Sequence, residues 1–348
     1  MLPPIMALFL FGLGLGTLIT FSSSHWLLAW IGLEINTFSI LPIMAASHHP
    51  RAVEATTKYF LIQAMAAALL LAAGVTNAWS SGQWTFSLME DPLSLLLTTM
   101  ALSLKLGLAP FHLWVPDVLQ GLEFSTGMIL STWQKLAPLA LFLQIQPVDP
   151  RITISIGLAS IIIGGWGGLD QTQTRKILAY SSIAHMGWIV LILHFSTSLA
   201  CFTFFLYVFM TLSAFTILDF NKAINMNILA ISQKNSPVIS ATAVLVLLSM
   251  AGLPPLTGFA PKAMILYELS INNLPLIALV AALSALLNMF FYLRLTYIVA
   301  LSLSPSTILA CAPWRLPSSK FKTYSAMACI ITLAFLPLTP DIMAIFLP

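Results

Sequence analysis

Leu102-Ser103-Leu104-Lys105-Leu106-Gly107-Leu108-Ala109-Pro110 closes an apolar run that begins near residue 92, with a lysine inside the run and a glycine and a proline at its end. The same pattern recurs further along the chain. Gly107-Leu108-Ala109-Pro110 followed by Pro116-Asp117 is matched, at a constant offset of 145 residues, by Gly252-Leu253-Pro254-Pro255 followed by Pro261-Lys262. Both read Gly-Leu-X-Pro, five residues, Pro, charge. Proline removes a backbone donor and clashes with the preceding turn, so each segment is expected to interrupt its helix and leave backbone groups unpaired. In a bilayer such groups are tolerated only inside protein or beside a watery cavity.

A bilayer is the solvent that the composition demands. Of 348 residues 59% are hydrophobic and 7% charged, and the mean hydropathy is +0.96, far outside the range of a water-soluble domain of this size. A helical span needs roughly 20 apolar residues, and this chain offers such unbroken runs, whereas a barrel would show alternating strands of about ten residues. The expected fold is all-α: a polytopic bundle, one integral membrane domain over 1–348. No cleavable leader is read at the front, because 3–21 already forms a full span without a basic start or a small-residue cleavage site.

Apolar runs bounded by charged or Pro/Gly/Ser-rich breaks predict about eleven spans. They fall at 3–21, 25–45, 57–79, 92–109, 124–145, 152–170, 176–195, 198–218, 237–270 (interrupted), 275–300 and 323–346, and 110–123 is too polar and proline-rich for a plain span. Loops after even-numbered spans hold Arg51, Lys58, Arg175, Lys176, Lys222, Lys234, Arg315, Lys320 and Lys322, against Arg151 alone after odd-numbered ones. The positive-inside rule then puts the N-terminus inside and the C-terminus outside. The two Gly-Leu-X-Pro segments lie on the fourth and ninth spans, which must run in opposite directions. That is an antiporter-like inverted repeat with two discontinuous helices, its halves at 1–145 and 150–300 and a C-terminal span beyond them. Transporters place coupling-ion sites near the midplane on such helices; the alternative is two prolines that merely kink long helices.

Other chemistry finds no support. Cys201, Cys311 and Cys329 are far apart and form no CxxC or Cys/His cluster, so they build neither an iron–sulfur centre nor a zinc site. A scattered net charge of +3 does not suggest nucleic acid. There is no GxSxG, GxxxxGK[ST], HExxH or dinucleotide fingerprint. His48-His49 lacks acidic or cysteine company and is weak as a metal site. Gly12-Leu13-Gly14-Leu15-Gly16 reads as a close-packing face.

The informative residues are charges where lipid-facing helices should have none. Glu34 sits mid-span in Trp30-Ile31-Gly32-Leu33-Glu34-Ile35-Asn36, Lys135 in Ser131-Thr132-Trp133-Gln134-Lys135-Leu136, Lys105 before the first break, and Lys262 after the second. Each central charge costs about 2.5–3.5 kcal/mol on insertion scales, on the order of 10 kcal/mol for four, unless it pairs or reaches water. Glu34 is the only acid deep within a span, and its expected partner is Lys105 or Lys135. Burial disfavours an ammonium and a nearby carboxylate favours it, so a changing Glu–Lys distance can load or release a proton. Lysines near helix ends can instead snorkel to the interface. Imidazole in general titrates near neutrality, which makes His112 and His185 candidate relays, or they are hydrogen-bonded structural histidines. Glu54 and Lys58, four apart, are expected to form a helix-surface pair. Asp117, Glu123, Asp149, Asp170, Asp219, Glu268 and Asp341 lie near span ends and read as solvated.

Together with Leu130-Ser131-Thr132-Trp133-Gln134-Lys135-Leu136-Ala137-Pro138, Ala179-Tyr180-Ser181-Ser182-Ile183-Ala184-His185-Met186-Gly187 and Gly252-Leu253-Pro254-Pro255-Leu256-Thr257-Gly258-Phe259, these stretches closely resemble, over essentially the whole chain, the mitochondrially encoded antiporter-like membrane-arm subunits of NADH:ubiquinone oxidoreductase, respiratory complex I, in vertebrate form. The resemblance implies a proton-translocating subunit in the mitochondrial inner membrane, with the N-terminus on the matrix side and the C-terminus on the intermembrane-space side. Its partners would be the other membrane-arm subunits and the lipid bilayer. In it Glu34 and Lys105 would be the charge pair, Lys135 the central relay, and Lys262 the lysine of the second broken helix, leading towards proton exit. NADH, FMN, iron–sulfur clusters and ubiquinone would belong to the assembly, and none is expected to bind this chain. Bacterial members look longer by three N-terminal spans, which puts in doubt any contact those helices make with neighbouring subunits. Two other classes compete: an autonomous secondary transporter, which would work when reconstituted alone, and a purely structural bundle, in which neutralising Glu34 or Lys105 would change nothing.

Overall fold

The computed structural model describes residues 3–86, 89, 91–145, 150–235, 237–301 and 323–346. Asp149, Cys311, Arg315, Lys320 and Lys322, singled out above, lie outside the described residues, as does the side chain of Lys234. Among the described residues the chain is helical, with two isolated β-bridges, His25 to Thr85 and Gln173 to Asn225, and no strand. It divides into two compact units, 1–160 and 161–348.

The first unit opens with α1 (Pro3–Ser22) and α2 (Trp26–Ala45), whose backbones approach closely. The glycine stripe makes this contact: a Cβ on Gly12 would lie 2.6 Å from Ser39 Oγ, and one on Gly16 would lie 2.8 Å from the Gly32 carbonyl and 2.9 Å from Asn36 N. Gly14, between them, would meet nothing, as expected for a stripe with only one inward face. Gly16→Val is therefore expected to destabilise the solubilised chain in its complex by about 1–3 kcal/mol through overpacking. A lowered thermal unfolding midpoint checks it, and an unchanged one would count against the contact.

α3 (Pro50–Ser81) starts seven residues earlier than the hydropathy pattern predicts. Proline is well placed at a first helical position, and His49 Nδ1 accepts from Arg51 N at 3.2 Å as the cap. This places Arg51, Glu54 and Lys58 in the first turns of the helix rather than in a loop. Lys58 Nζ is 2.8 Å from Glu54 and 3.5 Å from Asp117, an exposed cluster in which the expected pair gains a third member.

α4 (Pro92–Leu106) ends at the expected Gly-Leu-X-Pro break, three residues short of the predicted bound at 109. Gly107 adopts φ +74, its N–H bonds to the Leu104 carbonyl at 3.2 Å, and the Leu108 N–H bonds to the Ser103 carbonyl at 2.9 Å, the paired closure of a helix terminated by a left-handed glycine. At 15 residues α4 rises only about 22 Å, short of the roughly 30 Å hydrocarbon core. After a turn the chain resumes as α5 (Trp114–Gly121).

The expected continuous span at 124–145 is not continuous, and here the sequence-based expectation is corrected. α6 (Phe124–Thr132) and α7 (Leu136–Gln144) are separated by a 3-10 turn, Trp133–Lys135. Pro138 explains the break: its ring takes the space of the carbonyl four residues back, that of Gln134, and has no N–H to bond it. α8 (Pro150–Gly168) runs from the first unit into the second.

The second unit contains α9 (Thr174–Ile192), α10 (Thr197–Phe220), α11 (Met226–Asn235), α12 (Pro237–Ala251), α13 (Phe259–Ile271), α14 (Pro275–Leu301), α15 (Thr323–Ala334) and α16 (Thr339–Phe346). α11 is unanticipated; at 10 residues it is too short to span, so a search for long apolar runs passes over it. The last expected span is also divided, by a 3-10 turn at Leu336–Leu338 that contains Pro337. The break between α12 and α13 repeats the first in detail. Gly252 adopts φ +83, its N–H bonds to the Ser249 carbonyl at 3.0 Å, and the Leu253 N–H bonds to the Leu248 carbonyl at 3.3 Å. The X–Pro bonds at matching positions, Ala109–Pro110 and Pro254–Pro255, are both cis. Among the described residues, six helices are long and apolar enough to cross a membrane by length and composition: α1, α2, α3, α8, α10 and α14.

Candidate functional site

In the first unit α2 brings Glu34 to α4. Lys105 Nζ lies 3.7 Å from Glu34 Oε1, with the two side chains 1% and 17% exposed. Of the two lysines the sequence offers as partners for Glu34, Lys105 stands at this distance. The separation exceeds a hydrogen bond, and neither Lys105 Nζ nor Glu34 Oε1 has a hydrogen-bond partner among the described residues. Lys105 is thus not snorkelling out from its helix end: its ammonium is turned inward, towards Glu34.

Lys135 is buried on the 3-10 turn between α6 and α7. The turn matters because a continuous helix would carry residue 135 on at 100° per residue, whereas the tighter winding re-aims the last side chain before the helix resumes. Gln134, the residue before it, belongs to a set of neutral polar groups that sequence reasoning did not single out. Gln134 Nε2 donates to the Asn36 carbonyl at 3.3 Å and to Asn36 Oδ1 at 3.2 Å, and Tyr59 Oη donates to Gln134 Oε1 at 3.5 Å. The Trp114 indole, 5.7 Å from the Tyr59 ring, donates Nε1 to the Leu104 carbonyl at 3.2 Å. The available signal was weaker: Asn36, Gln134 and Tyr59 each place a polar group inside an apolar run, and buried polar groups need partners. His112 is buried in the turn between α4 and α5, with Nδ1 3.2 Å from the Pro110 carbonyl.

In the second unit Lys262 sits in the first turn of α13, and its Nζ donates back across the break to the Ala251 carbonyl at 2.7 Å and the Met250 carbonyl at 3.4 Å. The ammonium thereby serves carbonyls that α12 leaves free at its end. His185 on α9 lines a cavity of about 20 Å³ together with Lys262, Trp188, Thr203, Tyr207 and Met210. Such a volume has room for about one water molecule. The His185 ring lies 5.7 Å from that of Tyr207, so the structure brings this histidine and Lys262 to one place. Arg294, which the sequence reading passed over, donates Nη1 to the Leu169 carbonyl at 2.9 Å, just past the end of α8. No group of three His, Cys, Asp or Glu able to hold a metal occurs among the described residues.

Buried charges set beside interrupted helices mark the class of antiporter-like membrane proteins, and the chain belongs to the NADH:quinone oxidoreductase/Mrp antiporter transmembrane family, whose model matches residues 23–288. Residues 289–343 match the family described as NADH dehydrogenase subunit 2 C-terminus. NADH-ubiquinone oxidoreductase chain 2 of Salmo salar is 55% identical to this chain over 98% of both, and that of Tetraodon nigroviridis is 55% identical over 99% of both. Among solved structures, a chain of respiratory complex I from Thermus thermophilus with bound Aureothin superposes with a TM-score of 0.85 at 26% identity, over 98% of this chain and 79% of that one. A chain of the Mrp complex from Dietzia sp. DQ12-45-1b shares the fold, with a TM-score of 0.83 at 14% identity over 99% and 76%.

Proposed function

We propose that this chain moves protons as an antiporter-like membrane-arm subunit of respiratory complex I, NADH:ubiquinone oxidoreductase, in the mitochondrial inner membrane, with its N-terminus on the matrix side and its C-terminus on the intermembrane-space side. The observation that carries this reading is the Glu34–Lys105 pair: opposite charges, the lysine buried and the glutamate mostly so, 3.7 Å apart and closed by no hydrogen bond among the described residues. In a low-dielectric interior a small change in that separation alters the attraction strongly, so the pair can hold or release the Lys105 proton as its surroundings shift. Lys135 is the next carrier. Lys262 serves the second broken helix on the way to proton exit, with His185 beside it, and His112 is the relay candidate in the first unit. The inverted-repeat halves, 1–145 and 150–300, frame these groups. FMN, the iron–sulfur clusters, NADH and ubiquinone belong to other parts of the assembly, and this chain's share of the reaction is proton transfer without redox chemistry of its own.

The test is Glu34→Gln in the assembled complex, reconstituted in sealed vesicles. The amide keeps the shape and removes the charge, so electron transfer measured with a protonophore should persist while the protons moved per electron fall. An unchanged ratio would leave the structural-bundle alternative standing. The purified chain alone should transport nothing, whereas ion exchange by the isolated chain would identify an autonomous carrier.

A further inference from the structure

Gln134 is the point at which three charge-bearing segments of the first unit are tied together. It precedes Lys135 on the 3-10 turn, it holds Asn36, two residues after Glu34, and it meets Tyr59. Tyr59 in turn lies with its ring 5.7 Å from that of Trp114, tilted by 59°, and the Trp114 indole bonds the carbonyl of Leu104, the residue before Lys105. Each member of this neutral chain of contacts that lies beside a charge is one or two residues from it.

We infer that Gln134 is a positioning residue, whose carboxamide fixes the spacing between the helix that carries Glu34 and the turn that carries Lys135. A carboxamide suits this role because it both donates and accepts and does not titrate. The frame therefore keeps its hydrogen bonds while neighbouring groups gain or lose protons. A carboxylate there would face the Asn36 carbonyl with acceptor against acceptor. A hydrocarbon would leave buried polar atoms of Asn36 without their donor. Nor can α2 slide away to relieve a mismatch, since Asn36 N already lies against the glycine face of α1, 2.9 Å from where a Gly16 Cβ would stand.

The role rests on the proton relay proposed above, and the experiment separates the two. Gln134→Asn shortens the reach by one methylene, and Asn36→Gln on the facing helix restores the summed length. In the assembled complex, Gln134→Asn and Asn36→Ser should each reduce the Glu34-dependent share of pumping about twofold or more and shift its pH profile, with protonophore-released electron transfer preserved. Gln134→Asn combined with Asn36→Gln should recover most of the loss. Wild-type stoichiometry and pH profile in both single variants would overturn the assignment. So would a loss that the paired change does not recover, or failure of both single variants to assemble, which would make Gln134 a residue of the fold alone. Glu34→Gln is measured alongside: normal pumping there sinks the relay itself, whereas lost pumping there with normal pumping in Gln134→Asn sinks only the positioning role.

Discussion

Replacing Lys135 with methionine is expected to abolish the pumping that this chain carries while leaving the complex assembled and its electron transfer intact when a protonophore is present. Methionine matches the lysine stem in length and flexibility and packs readily in apolar surroundings, so the buried turn between α6 and α7 keeps its filling. What disappears is the amine, the group that the proposed relay uses to accept a proton from the Glu34–Lys105 pair. No neutral neighbour can substitute for it, because the carboxamide of Gln134 does not titrate. The measurement is protons per electron in sealed vesicles, and a normal ratio with Lys135→Met would remove this residue from the relay.

Lys262→Leu should have the second large effect, and it should act on stability as well as on pumping. The Lys262 ammonium is the donor for the Ala251 carbonyl at 2.7 Å and the Met250 carbonyl at 3.4 Å. Removing it leaves these carbonyls short of a donor in the interior, at about 1–3 kcal/mol for a buried group that loses its partner. The complex should therefore show both a lower thermal midpoint and a loss of coupled pumping. Lys262→Arg, which keeps a charge and several donors, should preserve more of the stability than of the pumping, because a guanidinium does not release its proton. If Lys262→Leu were as stable as the wild type, the lysine would not be serving those carbonyls.

The interrupted helices were legible because glycine and proline act locally: Gly107 and Gly252 take left-handed backbone angles, and the prolines after them cannot continue a helix. Glu34 was legible for a different reason, since one acid among long apolar runs has few partners to choose from. The turn at Trp133–Lys135 was less visible, although Pro138 stood in plain view. A single proline in a membrane helix can be absorbed by a kink or by a change of winding, and tertiary packing decides between them. The contact of Gln134 with Asn36 joins residues 98 positions apart, so no local pattern announces it. Arg294 was missed because it sits near the end of a long apolar run without an acidic companion. Its partner is a main-chain carbonyl, which every sequence contains and none displays. Lys262 belongs to the same class: the charge was plain, but its hydrogen-bond acceptors were not.

One acid at membrane depth against three lysines looks unbalanced only if side chains alone are counted. A helix that stops within the bilayer presents the negative end of its aligned peptide dipoles, equivalent to roughly half an electronic charge. α4 ends one residue beyond Lys105, and α12 ends at Ala251, whose carbonyl Lys262 touches. Lys105 and Lys262 thus each stand at a permanent counter-field that, unlike a carboxylate, cannot be switched off by taking up a proton. The end of α12 can therefore stabilise the Lys262 cation by on the order of 1–2 kcal/mol in partly buried geometry through main-chain carbonyls, whereas the counter-charge beside Lys105 is a carboxylate that a proton can neutralise.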